Sequence, residues 1–262
     1  MRLVGRILVV LISIVALLAA VYGGTMALRW LDSSDGFGLL DRQPEQPLAL
    51  SSLNAHTRAA ADDPAFRRYF TTMVLPDPDA SGDEPVVVKW EQPRVTIKLL
   101  NKGGHGIETY LRRLVARLNR MQGEVRFAVG DDAPRITVRF LRHQEYMREF
   151  GRGSVGTTRT RFFRSSPGLI RARIAIDAER QDSASQLKAT LIHELTHAIG
   201  GGGHFTRLAD RRRSVLFQSS HITSWSQDDA AVIRLLYSEW ITSGMTEREV
   251  RASLRRYARS VD

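Results

Sequence analysis

Apolar and polar positions divide the chain into three stretches of different texture. From Ile7 to Leu28 there is no charged residue, and Arg2 and Arg6 stand before it. Such a stretch reaches the roughly 20 residues that span a bilayer and exceeds most signal-peptide cores. Residues 1–30 are therefore read as an N-terminal transmembrane helix, an uncleaved anchor whose arginines keep the N-terminus cytoplasmic. A signal peptide removed after export is the alternative. Residues 31–62 are rich in Asp, Ser, Pro and Gln without a sustained period, and read as a linker. Residues 63–262 carry the periods of a globular domain.

Within that domain Phe66, Phe70 and Met73 predict a short helix over 64–74. Val86–Trp90 and Val95–Leu100 read as strands. Ile107–Met121 reads as a helix with Leu111, Leu114, Leu118 and Met121 on one face, and 125–129 and 136–141 as strands. The glycine- and arginine-rich stretch 143–168 reads as an irregular loop. Ile170–Ile176 alternates as a half-exposed strand does. Ser183 with Gln186, Ser226 with Asp229 and Thr246 with Glu249 predict three further helix starts. Strands first and helices last give an α+β fold.

Charge and cysteine content narrow the chemistry. The net charge is +10, and the densest run, Arg142 to Arg173, holds eight arginines against Glu145 and Glu149. A solvated face, anionic headgroups or an acidic substrate would each suit it. No nucleic-acid motif accompanies the charge, so no nucleic-acid partner is expected. With no cysteine, disulfides and thiolate metal sites are excluded.

The most specific segment is His193-Glu-Leu-Thr-His-Ala-Ile-Gly-Gly-Gly-Gly-His204. Histidines four apart on a helix lie about 40° apart around its axis and roughly 6 Å along it, so both reach one Zn²⁺. Glu194, about 100° round from His193, is placed to take a proton from a water that the metal polarises. Leu187, Leu191, Leu195 and Ala198 form a core stripe away from the histidines, and Gly200 supplies a helix stop. His204 is the expected third ligand, with Asp210 the alternative. His221 and Tyr237 are candidate oxyanion donors, though a loop residue and a core residue describe them better. Asp228 and Asp229 read as helix caps rather than ligands. His105 reads as a turn residue, and His56 and His143 carry no pattern.

His193, Glu194, His197 and Gly200, then Ser214-Val-Leu-Phe217 and Ser226-Gln-Asp-Asp229 with Ile233 and Leu236-Tyr237, resemble the metzincin clan of zinc endopeptidases over roughly residues 170–238. The clan carries HExxHxxGxxH, a methionine turn beneath the metal and a C-terminal helix, and the last segment is similar to that of matrix metalloproteinases. The tail through Gly244-Met245-Thr246 also resembles an uncharacterised group of bacterial exported HExxH proteins. Two positions depart from the clan's pattern: His204 comes one residue late, and Leu216 stands in the methionine's place. A run of four glycines has the freedom to absorb the extra residue, and Leu for Met conserves volume.

The resemblance implies a zincin-like mixed sheet with an active-site helix and C-terminal helices. It also implies zinc-dependent peptide hydrolysis with His193, His197 and His204 as ligands and Glu194 as general base. The Ile170–Ile176 strand would border the cleft, and Arg171 and Arg173 on it would favour acidic side chains in a peptide or protein substrate. Location would be extracytoplasmic, in the cell envelope, or secreted or periplasmic if the leader is removed. The alternative is a non-catalytic envelope protein that keeps the zincin fold as a binding module.

Overall fold

The computed structural model describes residues 49–76, 84–104, 106–163, 165–206, 213–218 and 221–260. The expected N-terminal anchor, His105 and Asp210 lie outside them. Among the described residues no helix is long and apolar enough to cross a membrane.

Two helices, α1 (Leu50–Asp62) and α2 (Pro64–Val74), precede the sheet. The described part of the expected linker is thus helical. Leu53, Thr57 and Ala61 recur every four residues and are buried, α1 packing on α2 and on the last two helices. Alanine-rich polar sequence hides this narrow stripe. Asp63 then turns the chain, its carboxylate accepting from Ala65 N–H while Pro64 opens α2.

Five strands follow: β1 (Arg94–Leu99), β2 (Arg126–Val129), β3 (Ile136–Leu141), β4 (Gly156–Phe163) and β5 (Ser166–Asp177). Their order across the sheet is β2-β1-β3-β5-β4, with β4 antiparallel to β5 and all other pairs parallel. Helix α3 (Ile107–Met121) makes the crossover from β1 to β2, burying Leu111, Leu114, Leu118 and Met121 as their spacing predicts. The fold is therefore mixed α and β around one five-stranded mixed sheet.

Two strand readings need correcting, and a third strand proves internal to the sheet. Residues 86–90 form no regular strand. Val86 makes an isolated bridge to Thr246, and Val87 N–H donates to Met245 O, so the segment is pinned to a loop instead of a ladder. The expected loop 143–168 contains α4 (His143–Phe150) and β4. The alternation of β4 is between Thr and Arg, with no aliphatic side chain to mark a buried face. Lastly, Ile170–Ile176 is an internal part of β5, hydrogen-bonded on both sides by β3 and β4, and the open edge belongs to β4.

The HExxH segment lies on α5 (Ala184–Ala198), packed on β4 and β5. Ser183 Oγ accepts from Gln186 N–H (3.1 Å), and Gln186 accepts from Asp182 N–H (2.8 Å), one residue outside the expected reciprocal pair. Helices α6 (Gln227–Leu236) and α7 (Glu247–Arg259) start at the predicted capping boxes. The C-terminal carbonyls of α5 are met by buried aromatics: Trp90 Nε1 donates to Ala198 O (2.9 Å) and the Tyr237 hydroxyl to Ile199 O (2.8 Å). Orphan carbonyls at a buried helix end are costly unless so met. Trp90→Phe keeps an aromatic side chain but removes the donor and part of the buried volume. It should lower unfolding free energy by about 1–3 kcal/mol, read as a lower urea midpoint at unchanged slope.

Candidate metal centre

Helix α5 ends where its two histidines need a third partner. Gly200 adopts φ 108°, and a Cβ there would lie 2.7 Å from Val88 O. The chain then runs along the end of α2: Gly202 N–H donates to Met73 O (2.8 Å), and a Cβ on Gly203 would fall 2.2 Å from Thr72 O. Only glycines allow that approach of two backbones. The run takes up the extra residue and returns His204 to the helix.

His193, His197 and His204 consequently form one cluster whose ligand atoms lie within 4.8 Å of one another. His197 Nε2 is 3.2 Å from His193 Nε2 and 3.1 Å from His204 Nε2. His193 Nδ1–H donates to Val215 O and His197 Nδ1–H to Gly201 O, both at 2.8 Å. A carbonyl only accepts, so these bonds fix the tautomers and leave both Nε2 lone pairs facing inward. Burial, with the neighbouring imidazoles adding to it, pushes His193 down to about 4 and His197 to about 3. Inward lone pairs at this separation repel unless a cation lies between them. Tetrahedral zinc with bonds of about 2.0–2.1 Å separates its ligand nitrogens by roughly 3.3–3.4 Å, close to the spacing found. The cluster can hold a metal ion.

Glu194 is buried on the side of α5 facing β4. Its Oε2 accepts from Thr158 Oγ1 at 2.7 Å. Burial raises its pKa to about 7, and the Thr158 hydrogen bond opposes that rise. A Cβ on Gly156 would lie 2.6 Å from Glu194 Oε1, so the bare glycine makes room for the carboxylate. Neither Thr158 nor Gly156 carried a signal in the sequence, because β4 was read as loop.

The turn over 214–217 meets the cluster through Val215 O, the acceptor of His193 Nδ1–H. Leu216 is fully buried, and Phe205 and Phe217 bridge in parallel, which ties the turn to the residue after His204. Asp229 holds this turn. Its buried carboxylate caps α6 by accepting from Ser226 N–H (3.1 Å), and it accepts as well from Tyr69 Oη (2.7 Å), Ser214 Oγ (3.0 Å) and Val215 N–H (3.3 Å). Burial raises its pKa despite these donors, which favour the charged form. Reading Asp229 as a cap captured one of four contacts. Tyr237 is a core residue whose hydroxyl is engaged by Ile199 O, and His221 is exposed on a loop. His56 pairs with Asp228 (3.0 Å) and His143 with Asp177 (2.7 Å).

Arg171 and Arg173 do not line this site. They alternate with Ala172 and Ile174, which are buried, and they project from the other face of an internal strand. Selection of acidic substrates by these two side chains therefore has no structural basis.

Val215 joins Asp229 to His193, so losing the carboxylate should affect both stability and metal. Asp229→Ala leaves two hydroxyls and two N–H groups without their acceptor. It should cost about 3–5 kcal/mol in urea unfolding, and zinc affinity of the folded fraction should fall by about 10- to 100-fold. Asp229→Asn keeps the shape and should be markedly milder in both measurements.

No curated protein matches the sequence. A family model described as "Protein of unknown function (DUF2927)" matches residues 64–256, which includes α2, the whole sheet, α5 and the histidine cluster. The chain belongs to this DUF2927 family.

Proposed function

We propose that the domain is a zinc-dependent endopeptidase with a metzincin-like fold, exported and held in the cell envelope by its N-terminal apolar segment. The observation that carries this reading is the convergence of three imidazole Nε2 atoms beside a buried glutamate on the same helix. A purely structural metal site has no use for the glutamate. The turn at 214–217, whose Val215 O orients His193 and whose Val215 N–H is held by Asp229 of α6, adds support to the metzincin likeness.

A zinc ion held by His193, His197 and His204 would supply Lewis acidity, polarising a carbonyl and acidifying water. Glu194 would accept a proton from the attacking water and return it to the leaving amine. Burial raises the proton affinity of this carboxylate, which suits a group that must take up a proton and pass it on. Burial lowers the dielectric around the carboxylate, and Thr158 fixes its rotamer. An extended peptide would add to the open edge of β4, the strand that carries Gly156 and Thr158, through backbone hydrogen bonds.

One observation favours the non-catalytic alternative. Glu194 is 5% exposed and already hydrogen-bonded to Thr158. One variant separates the readings. Glu194→Gln should keep about one zinc per chain while peptide hydrolysis falls by about 10²–10⁴. Zinc-loaded wild-type protein that cleaves nothing in a broad peptide library would favour the binding module.

Export is tested separately. A reporter active only outside the cytoplasm, fused after Asp262, should be active, and the full-length chain should fractionate with membranes. A soluble product beginning near residue 24 would instead indicate a cleaved leader.

A further inference from the structure

The face of the sheet turned away from α5 carries arginines in register. On the β4–β5 hairpin Arg159 stands directly opposite Arg173, and Arg161 opposite Arg171. Side chains alternate along a strand, and the intervening Thr158, Ala172 and Ile174 face α5, so all four arginines share the opposite face. All four are exposed. The row continues inward, with Arg173 beside Thr137 of β3, and Thr137 beside Lys98 of β1. At the far margin Arg94 of β1 is paired with Arg126 of β2.

Little on this face neutralises the charge. Glu149 is taken by Arg139, and Asp131 by Lys98. Arg159 lies over the Phe150 ring, 4.5 Å from its centroid, and Arg161, Arg171 and Arg173 have no carboxylate partner among the described residues. Like charges directly opposite on a ladder destabilise it. Folding alone therefore gains nothing from the two arginine pairs, whereas an anion lying across them would remove the repulsion. At the end of the same hairpin Phe163 is 56% exposed, one of three large hydrophobic side chains so exposed among the described residues.

We propose that this arginine face, with Phe163 at its end, docks on an anionic phospholipid bilayer. Charge complementarity selects an anionic partner, and exposed cations spread over several strands, on the part of the face that α4 leaves uncovered, suit a surface better than a single bound molecule. An exposed aromatic beside arginines suits the headgroup boundary, where the ring enters the apolar layer and the guanidiniums meet phosphates. Because α5 lies on the other face, docking leaves the histidine side free. The inference is independent of whether the domain cleaves peptides.

The chain has no cysteine, so Ser165→Cys gives one labelling site beside Phe163. The full-length protein, carrying an environment-sensitive dye there, is added to phosphatidylcholine vesicles with and without phosphatidylglycerol. The dye should shift to the blue only with phosphatidylglycerol, and added salt should reverse the shift. Replacing Arg159, Arg161, Arg171 and Arg173 by Gln should lower the docked-to-undocked ratio by roughly fivefold for each arginine removed. The same four positions changed to Lys should dock nearly as wild type, which separates lost charge from lost folding. Phe163→Ser should reduce the shift and leave its salt dependence. Equal emission on both vesicles, or a folded Gln variant that behaves as wild type, overturns the proposal. A shift with soluble polyglutamate and none with phosphatidylglycerol overturns it in favour of an acidic protein partner.

Discussion

How α5 ends governs the rest of this molecule. A helix that ran on would carry the chain away from His193 and His197, and one that stopped without partners would leave carbonyls unpaired in the core. Here the carbonyls are taken by Trp90 from the segment before the sheet and by Tyr237 from the end of α6. Gly200 reverses the backbone, and Gly202 and Gly203 slide it against α2. Each partner comes from a different part of the sequence. The helix end is thus a junction where the N-terminal helices, the sheet and the C-terminal helices are fixed against one another.

A second junction lies beneath it. Asp229 gathers α2 through Tyr69, the 214–217 turn through Ser214 and Val215, and the start of α6 through Ser226. The carbonyl of Val215 then orients His193. A buried carboxylate is tolerable only because every donor around it is spoken for. The same accounting fixes the tautomers of His193 and His197: backbone carbonyls take their Nδ1 protons, and their Nε2 lone pairs are left facing one another.

Sequence periodicity served wherever structure is local. The cap at Ser183, the capping boxes at Ser226 and Thr246 and the α3 stripe are set by residues within one or two turns of each other, and they appear as read. Spacing also indicated His193 and His197, and the glycine run left room for His204. What escaped had either no hydrophobic mark or no local origin. Strand β4 alternates Thr with Arg, and α1 has a stripe one residue wide made of Leu53, Thr57 and Ala61. Thr158, Gly156 and the further contacts of Asp229 depend on neighbours 14 to 160 residues away, and no period encodes such a meeting.

The distance in sequence between Asp229 and the histidines it steadies has a consequence for biogenesis. A chain made or exported N-terminus first presents α5 well before α6. Until residue 229 arrives, the 214–217 turn has no anchor and His193 no fixed carbonyl to orient it. The anchor of the turn that orients His193 is therefore supplied by a residue from the last part of the chain to appear. A truncated or half-emerged chain would hold both HExxH histidines without the anchored turn that orients His193, so any metal uptake by the cluster would be weaker until the chain had reached Asp229.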